Sequence, residues 1–291
     1  MQRFDVSAEP GERQQAPVAI SSAASIDPHY LEQELRDALR RGELSLYYQP
    51  QFALPQVRLV GSEALLRWNH PERGLISPGR FIPTAERCGL IVPIGTWVLE
   101  QACQQNYCWQ QAGYEPIRVA VNVAAKQFAQ YDFVDLVSQA LSTTGLAPQY
   151  LELEMSESLL MRDVEESVQT LSSLKMLGVK LSMDDFGTGT SSLRDLARLP
   201  IDTLKIDMEF VQRLNSVPST LRFVKAMLAL GHGFGMRVMA VGVETEEQLE
   251  QLRQLGCESA QGYLFGAAVS PTESESYRTA AGPPPEPKEP A

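Results

Sequence analysis

Acidic, amide and lysine side chains recur inside, or at the end of, short apolar runs of this 291-residue chain. Such runs are typical of β-strands, in which alternate side chains point to the same face. In LELE, Glu152 and Glu154 share a face, and in KLSMD so do Lys180, Ser182 and Asp184. The polar residues found in such positions are Glu63, Asn122, Glu154, Asp184, Asp185, Lys205 and Gln261.

Carboxylates from several strands would indicate divalent-metal chemistry if they met at one edge. A single acid in a strand is more often a solvated residue or part of a structural ion pair, but convergent carboxylates repel unless protonated or bridged by cations. The Asp184–Asp185 pair could hold two ions, and two ions about 3.5–4 Å apart form a clamp for phosphoryl displacement. The segment FGTGTSS that follows predicts a mobile turn with backbone amides available to phosphate.

Cysteine and histidine offer no alternative metal site. The 4 cysteines show no CxxC pair, and the 3 histidines show no HExxH or other ligand spacing. A metal would therefore be held by oxygen, which favours Mg²⁺ or Mn²⁺ over Zn²⁺. The thiols are expected to be reduced, with some of them in the core.

The charge balance excludes some classes of function. Against 36 Asp and Glu there are 25 Lys and Arg, a net charge of −11, which argues against a nucleic-acid polymer as partner. A small anion could still bind through metal ions. No apolar run approaches the roughly 20 residues of a membrane helix, and the N-terminus has no signal core. We therefore expect a cytoplasmic protein without a membrane partner.

Strand and helix patterns alternate through most of the chain. The predicted strands are 44–52, 60–68, 117–124, 150–156, 179–185, 203–207, 237–243 and 259–265. The predicted helices are 28–41, 78–90, 94–112, 126–144, 158–177, 190–198, 217–233 and 245–255. Eight strands alternating with helices predict an α/β fold of the (β/α)₈ TIM-barrel type, whose chemistry lies at the C-terminal ends of the strands. The alternative is an open doubly wound sheet, but no GxGxxG or GxxxxGK motif follows an early strand.

The first strand and both chain ends depart from this pattern. A short Pro-containing link joins the first two strands, which predicts an antiparallel pair there. Residues 1–25 predict a flexible N-terminal segment, residues 26–276 one domain, and residues 277–291 a Pro-rich disordered tail.

Several of these motifs together resemble the EAL-domain family. The resemblance begins with Glu63-Ala64-Leu65 and covers about residues 27–275. It continues through YYQPQ, Asn122 with Gln127, LELEMSES, DDFGTG, LKID, GVETEEQ and QGYLF. It implies a (β/α)₈ barrel with one antiparallel strand and hydrolysis of cyclic di-GMP to linear pGpG with Mg²⁺ or Mn²⁺.

By resemblance, each matching residue takes a role. Glu63, Asn122, Glu154 and Asp184 correspond to ligands of a first metal, and Asp184 and Asp185 serve a second. Lys205 would lie beside the attacking water, Gln261 would support the site, and Glu157 would hold the loop after Asp185. Nucleotide-binding positions correspond to Gln49, Glu63, Leu65 and Arg67. The family also implies a homodimer near the Asp185 loop and leaves room for a signalling protein partner.

One departure from the family pattern affects the chemistry directly. Where the family has Glu-Gly-Val-Glu, this chain has Val241-Gly242-Val243-Glu244. The missing first Glu serves the second metal and its water in the family, and valine can neither ligate a metal nor accept a proton. Three hypotheses follow: a phosphodiesterase, intact or weakened; a receptor that binds cyclic di-GMP without hydrolysing it; and an interaction domain without the nucleotide. Retention of the other acids argues against the third.

Overall fold

A computed structural model describes residues 28–187 and 192–279 of the chain. The predicted N-terminal segment, residues 188–191 of the Gly-rich turn and residues 280–291 of the predicted tail lie outside the described residues.

All eight predicted strands are present, with one short strand more. The strands are β1 (Leu44–Ala53), β2 (Arg58–His70), β3 (Gly74–Ile76), β4 (Arg118–Asn122), β5 (Leu151–Ser156), β6 (Lys180–Phe186), β7 (Thr203–Ile206), β8 (Arg237–Val241) and β9 (Ser259–Gln261). The last two end earlier than predicted, because the chain turns at Gly242 and Gly262. Gly242 has a φ of 81°, and a Cβ on Gly262 would lie 2.1 Å from the Val243 carbonyl oxygen.

The sheet closes into the predicted barrel. Its strands follow the order β1-β9-β8-β7-β6-β5-β4-β2, and pairing of β1 with β2 completes the ring. Strand β1 is antiparallel to both neighbours, with Gln49 opposite Glu63 and Phe52 opposite Ala260, while the other ring pairs are parallel. The prediction of an antiparallel first pair is therefore confirmed. The unpredicted β3 only extends the hairpin, pairing antiparallel with the end of β2.

Helices surround the barrel and connect its strands. They are α1 (Pro28–Arg41), α2 (Pro78–Cys88), α3 (Ile91–Gln111), α4 (Ala125–Phe128), α5 (Phe133–Thr144), α6 (Glu157–Leu160), α7 (Val164–Leu177), α8 (Leu193–Leu196), α9 (Met208–Gln212), α10 (Pro218–Gly233), α11 (Glu246–Gln254) and α12 (Pro271–Thr279). A 3₁₀ turn, Pro148–Tyr150, precedes β5. Among the described helices, none has the length and apolar character needed to cross a membrane.

Three helix predictions were wrong in their extent. The single helices predicted over 126–144 and 158–177 are each two helices, α4 with α5 and α6 with α7. The second break has a local cause, because the Asp163 side chain accepts a hydrogen bond from Glu166 N and starts α7 as its N-cap. Of the helix predicted over 190–198, residues 190 and 191 lie outside the described residues, and the described part contains the short α8. By contrast, the start predicted near Thr245 is a full capping box with Gln248.

Helices α9 and α12 were not predicted. Helix α12 continues to Thr279, beyond the predicted domain boundary at residue 276. Its Arg278 guanidinium lies 3.7 Å from the centre of the Trp109 ring, so this end of the helix packs on α3.

The two faces of each barrel strand have different surroundings. In β5, Leu151, Leu153 and Met155 are fully buried against the helical layer, whereas Glu152 and Glu154 point into the barrel. Burying a Leu-sized side chain contributes about 1.5–3 kcal/mol, so the outer faces hold the ring together. The inner faces carry the polar residues and therefore position the site.

Candidate functional site

Strand alternation and register bring the predicted polar residues to one end of the barrel. Glu63 is opposite Ala120, so Asn122, two residues further along β4, points to the same inner face. Asn122 is in turn opposite Glu154. Asp184 ends its pairing opposite Ser156, at the C-terminal end of β5. We call this end the mouth of the barrel.

Lys205 lies at the centre of three carboxylates. Its Nζ is 2.7 Å from Glu154 Oε2, 3.2 Å from Asp184 Oδ2 and 3.5 Å from Glu63 Oε2. Only 1% of the Lys205 side chain is exposed, and 1% of Glu154. These four residues, with Asn122 and Gln261, are called the lysine-centred cluster below. One ammonium group thus faces three buried or half-buried carboxylates.

Amide side chains orient Glu63 within this cluster. Asn122 Nδ2 donates to Glu63 Oε1 at 2.7 Å, and Gln261 Nε2 donates to Glu63 Oε2 at 2.7 Å. Gln261 Nε2 also donates to Gln49 Oε1 at 3.0 Å, which extends the network to β1. Both oxygens of Glu63 are therefore fixed in direction before any ligand arrives.

The pKa directions follow from this crowding. Burial alone would lower the pKa of Lys205, but the charges of Asp184, Glu154 and Glu63 outweigh burial and hold it well above its usual value. Burial and the nearby charge of Glu63 raise the pKa of Glu154 well above its usual value. Burial raises the pKa of Glu63 as well, but Lys205 and the hydrogen bonds from Gln261 and Asn122 outweigh it, so that this pKa is lowered. The cluster therefore favours retaining a proton on Glu154 or gaining another cation.

The donor set fits a hard divalent cation. Its oxygens come from three carboxylates and the Asn122 amide, which are the ligands that Mg²⁺ and Mn²⁺ prefer. One lysine leaves the carboxylate charge uncompensated, so a cation is electrostatically favoured. In residues 28–187 and 192–279, however, no three acidic, His or Cys side chains already surround a common ion position. The carboxylates converge on the ammonium group of Lys205 instead.

Asp185 lies beside this cluster in a different environment. It is an exposed residue with a left-handed φ of 55°, which is uncommon outside glycine and sparsely populated. Partial burial of its carboxyl group and the charges of Asp184 and Asp207 raise the pKa of Asp185. The Asp207 carboxylate also shares a hydrogen bond with it and caps α9 by accepting from Glu209 N at 2.7 Å.

Glu157 contacts the loop that follows Asp185. Its Oε2 accepts a hydrogen bond from Gly187 N at 2.9 Å, and only 2% of the residue is exposed. Gly187 has a φ of 99° and lies against Met227 and Phe210, so the chain turns there under close packing. Residues 185–187 are called the aspartate loop below.

Val241 ends β8 on the inner face of the mouth. Met239 is opposite Lys205, so Val241, two residues further, points to the same side, and Val241 is itself opposite Gln261. Glu244 is exposed and accepts from Gln212 Nε2 at 3.1 Å. The Glu244 carboxylate is thus engaged by α9, and Val241 places an apolar side chain at the inner end of β8.

The predicted nucleotide-binding residues extend the mouth outward along β1 and β2. Leu65 and Arg67 follow Glu63 on the same face of β2, and both are partly buried. Arg67 lies 5.6 Å from the centre of the Tyr47 ring and donates to the Leu66 carbonyl oxygen at 2.9 Å. Gln49 Nε2 donates to the Gly266 carbonyl oxygen at 3.1 Å. This rim is set apart from the lysine-centred cluster but continuous with it through Gln49.

Two residues of the site were missed in the sequence. Gln51 is buried, and its Nε2 donates to Gln261 Oε1 at 3.0 Å, so it orients the amide that holds Glu63. Its position two residues after Gln49 in the same strand was the signal that could have found it. Asp207 ended a predicted strand but was given no role. It directly follows β7, two residues after Lys205, and so lies at the mouth as Asp184 and Asp185 do near the end of β6.

Comparisons with known proteins agree with this architecture. A family profile described as EAL domain matches residues 32–268. Pseudomonas aeruginosa MucR, a bifunctional diguanylate cyclase/cyclic di-GMP phosphodiesterase, is 48% identical over 233 residues, covering 80% of this chain and 34% of MucR. The cyclic di-GMP phosphodiesterase NbdA of the same organism is 43% identical over 258 residues, covering 87% of this chain and 33% of NbdA.

Solved structures are similar over the same region. The PaMucR phosphodiesterase in complex with c-di-GMP is 46% identical with a TM-score of 0.82, covering 84% of this chain and 99% of that one. The EAL enzyme Bd1971, bound to cAMP and cyclic di-GMP, is 33% identical with a TM-score of 0.81, covering 85% of this chain and 68% of that one. The chain spans about a third of the length of the two curated relatives described above. The family match over most of the chain and the closed barrel show that this chain belongs to the EAL domain family.

Proposed function

We propose that this domain binds cyclic di-GMP at the barrel mouth with Mg²⁺ or Mn²⁺ and hydrolyses it slowly to linear pGpG. The observation that carries the proposal is the lysine-centred cluster, in which three carboxylates share one ammonium group. A cluster with this excess of negative charge is poorly suited to a purely structural role, because each buried carboxylate costs desolvation energy. MucR and NbdA, named as cyclic di-GMP phosphodiesterases, support this choice of substrate.

We assign different roles to the residues of the mouth. Glu63, Asn122, Glu154 and Asp184 would hold one divalent cation, and Asp184 with Asp185 a second. Bound cations would neutralise the phosphodiester and make a water molecule more acidic. Lys205 keeps its proton beside the carboxylates and so supplies fixed positive charge next to the reacting phosphate. Gln261, held by Gln51, keeps Glu63 in its orientation.

The rim residues would bind the rest of the nucleotide. Arg67 offers a guanidinium group to a phosphate or a guanine edge, and Leu65 an apolar contact, while Gln49 adds an amide. Glu157 would keep the aspartate loop in place through Gly187 N. A homodimer near this loop, a signalling partner and a cytoplasmic location stay predictions from the sequence.

A second candidate function is a receptor that binds cyclic di-GMP without turnover. Val241 favours it, because an apolar side chain ends β8 on the inner face of the mouth, where a carboxylate would be available to a second cation or to water. The lysine-centred cluster does not include position 241, so the valine removes no oxygen from the cluster. Binding should accordingly survive better than hydrolysis.

A paired binding and turnover experiment tests both candidates. Cyclic di-GMP is titrated into the domain with Mn²⁺, with Mg²⁺ and with EDTA, and pGpG formation is followed in parallel samples. We expect binding in the micromolar range or tighter with metal, and slow turnover. Binding without any turnover would establish the receptor, and no binding at high micromolar nucleotide in a folded sample would contradict both.

A further inference from the structure

The opposite end of the barrel contains a cavity that the chemistry at the mouth does not use. Its volume is about 370 Å³, within the range of roughly 300–1,000 Å³ typical of small-molecule sites. Arg58, Arg118 and Arg237, the first residues of β2, β4 and β8, all line it. Arg118 is four residues before Asn122 in one strand, so this floor cavity lies about 13 Å from the mouth.

The carboxylates near the floor cavity are already engaged by other groups. Asp202 accepts from both Lys175 and Leu181 N, at 2.7 and 2.9 Å. Glu258 is 2.8 Å from His232 Nε2 and accepts from Val238 N at 3.0 Å.

The three arginines differ in how far they are neutralised. Arg58 lies 3.3 Å from the exposed Glu115, and Arg118 Nε is 2.8 Å from the buried Glu152, without hydrogen-bond geometry. Arg237 has no carboxylate within ion-pair distance in the described part of the chain; its guanidinium donates to Thr203 Oγ1 at 3.4 Å. Of the three arginines, Arg237 is therefore the one without a direct ion pair among the described residues.

Arg237 is also repelled by its neighbour across the cavity. Partial burial and the positive charge of Arg118 lower the pKa of Arg237, against the opposing charges of Glu152, Asp202 and Glu258. Two guanidinium groups that face the same space are a source of repulsion in an empty cavity and of attraction when an anion lies between them. This arrangement is unexpected in a chain whose net charge is −11.

The remaining wall of the floor cavity is mixed, because Gln149, Glu258 and Ser259 are polar and the other side chains are apolar or aromatic. Val60 and Ile117 line it, and Tyr150 adds an aromatic side chain. The three arginines and the apolar part of the wall, formed by Val60, Ile117 and Tyr150, together match a ligand with an anionic group and a planar body. We propose that the floor cavity binds a small phosphate monoester, with its phosphate between Arg118 and Arg237 and its apolar group against Tyr150.

Phenyl phosphate is a suitable probe because it combines a dianion with one planar ring. It is titrated by calorimetry and by amide NMR into the domain with EDTA present, so that metal-dependent binding at the mouth cannot contribute. Inorganic phosphate and benzyl alcohol separate the contributions of the anion and of the ring. We expect saturable binding of phenyl phosphate, with the shifted amides at residues 117–118, 150 and 258–259.

Variants of Arg237 decide whether the cavity is responsible. Arg237→Gln should weaken phenyl phosphate binding about tenfold, since a charge-assisted contact is lost, and Arg237→Lys should fall between it and the native protein. The matched control is Arg36→Gln, which removes the same charge from the exposed face of α1. Arg237 is exposed, so its replacement should not unfold the barrel. If the Arg237 variant does unfold, phenyl phosphate binding is compared between Arg58→Gln and Arg36→Gln instead.

Several results would overturn the proposal. They are no saturable binding, equal affinity in the Arg237→Gln and Arg36→Gln variants, and amide shifts confined to the mouth. None of these results would bear on cyclic di-GMP, whose binding is measured separately with metal present. Loss of cyclic di-GMP binding would in turn leave the floor cavity proposal unaffected.

Discussion

The two halves of the mouth differ in how firmly the barrel holds them. Glu154 and Lys205 of the lysine-centred cluster are each about 1% exposed, and the cluster is bound together by side-chain hydrogen bonds across β2, β4, β5, β6, β7 and β9. The aspartate loop meets this network where Asp185 N donates to Asp184 Oδ1 at 2.9 Å. It contains an exposed residue in a left-handed conformation and is held by Glu157 through Gly187 N.

Because of this difference, we expect ligand binding and the rate of hydrolysis to depend on different halves of the mouth. The lysine-centred cluster is pre-organised by neighbouring strands, so the oxygens that we propose as cation ligands are in place without help from the loop. The aspartate-loop half combines an exposed aspartate with a valine at the end of β8. We therefore expect first-metal binding to depend on the cluster, and the rate of hydrolysis to depend on the loop half.

The largest effect is expected from breaking the lysine-centred cluster. Glu63→Ala removes the carboxylate that accepts hydrogen bonds from Asn122, Gln261 and Lys205. This change should reduce metal-dependent turnover by about a thousandfold or more. Binding of cyclic di-GMP with Mn²⁺ should fall with it. Glu63→Gln, with similar volume, is the control for shape. A large loss of thermal stability in EDTA would instead show that Glu63 is structural.

Restoring a carboxylate to the loop half should give the next largest effect. Val241→Glu should raise turnover at least about tenfold, because loss of one such group commonly costs two to four powers of ten in rate. Cyclic di-GMP binding should change less than kcat. Val241→Gln separates the effect of charge from that of size. Equal rates in the native protein and the Glu variant would mean that position 241 does not contribute to the second-cation site.

Weakening the contact that holds the aspartate loop should cost less. Glu157→Ala removes the acceptor of Gly187 N, and should lower kcat by about three- to tenfold, because a typical hydrogen bond contributes about 0.5–1.5 kcal/mol net. Glu157→Gln retains an acceptor oxygen and should recover most of the rate. A loss of binding as large as the loss of kcat would show that the loop and the cluster are not separable.

The smallest effect is expected at a carboxylate whose charge is fully compensated. Lys175, Lys180 and Leu181 N lower the pKa of Asp202 against the opposing effect of burial. Asp202→Asn should cost about 1–2 kcal/mol of unfolding free energy at pH 7 and leave turnover within twofold.

The pH dependence of this variant has a definite sign. Because the folded pKa of Asp202 is lowered, the native protein has this stability above the unfolded pKa of about 4 and loses it as the pH falls through the folded value. Urea unfolding at pH 7 and at pH 3 measures it. A difference between native and variant protein that grows on acidification would contradict the assignment.

Strand periodicity in the sequence determined which residues point into the barrel. Glu63, Glu154 and Asp184 lie in short runs that the structure confirms as strands, and the Pro-containing link correctly predicted the antiparallel first pair. These predictions succeeded because a two-residue repeat and a tight turn are local properties. The same local reasoning missed the break before α7, although an aspartate such as Asp163 is a common helix N-cap residue.

Partners from distant strands could be assigned only from the closed barrel. The sequence could not show that Lys205 lies among Glu63, Glu154 and Asp184, or that Gln51 orients Gln261, because these contacts join residues up to 210 positions apart. The register between neighbouring strands and the closure of the barrel fix these contacts, and both depend on the whole ring of strands. The facing arginines of the floor cavity have the same origin, since Arg118 and Arg237 begin strands that only the barrel brings to one end.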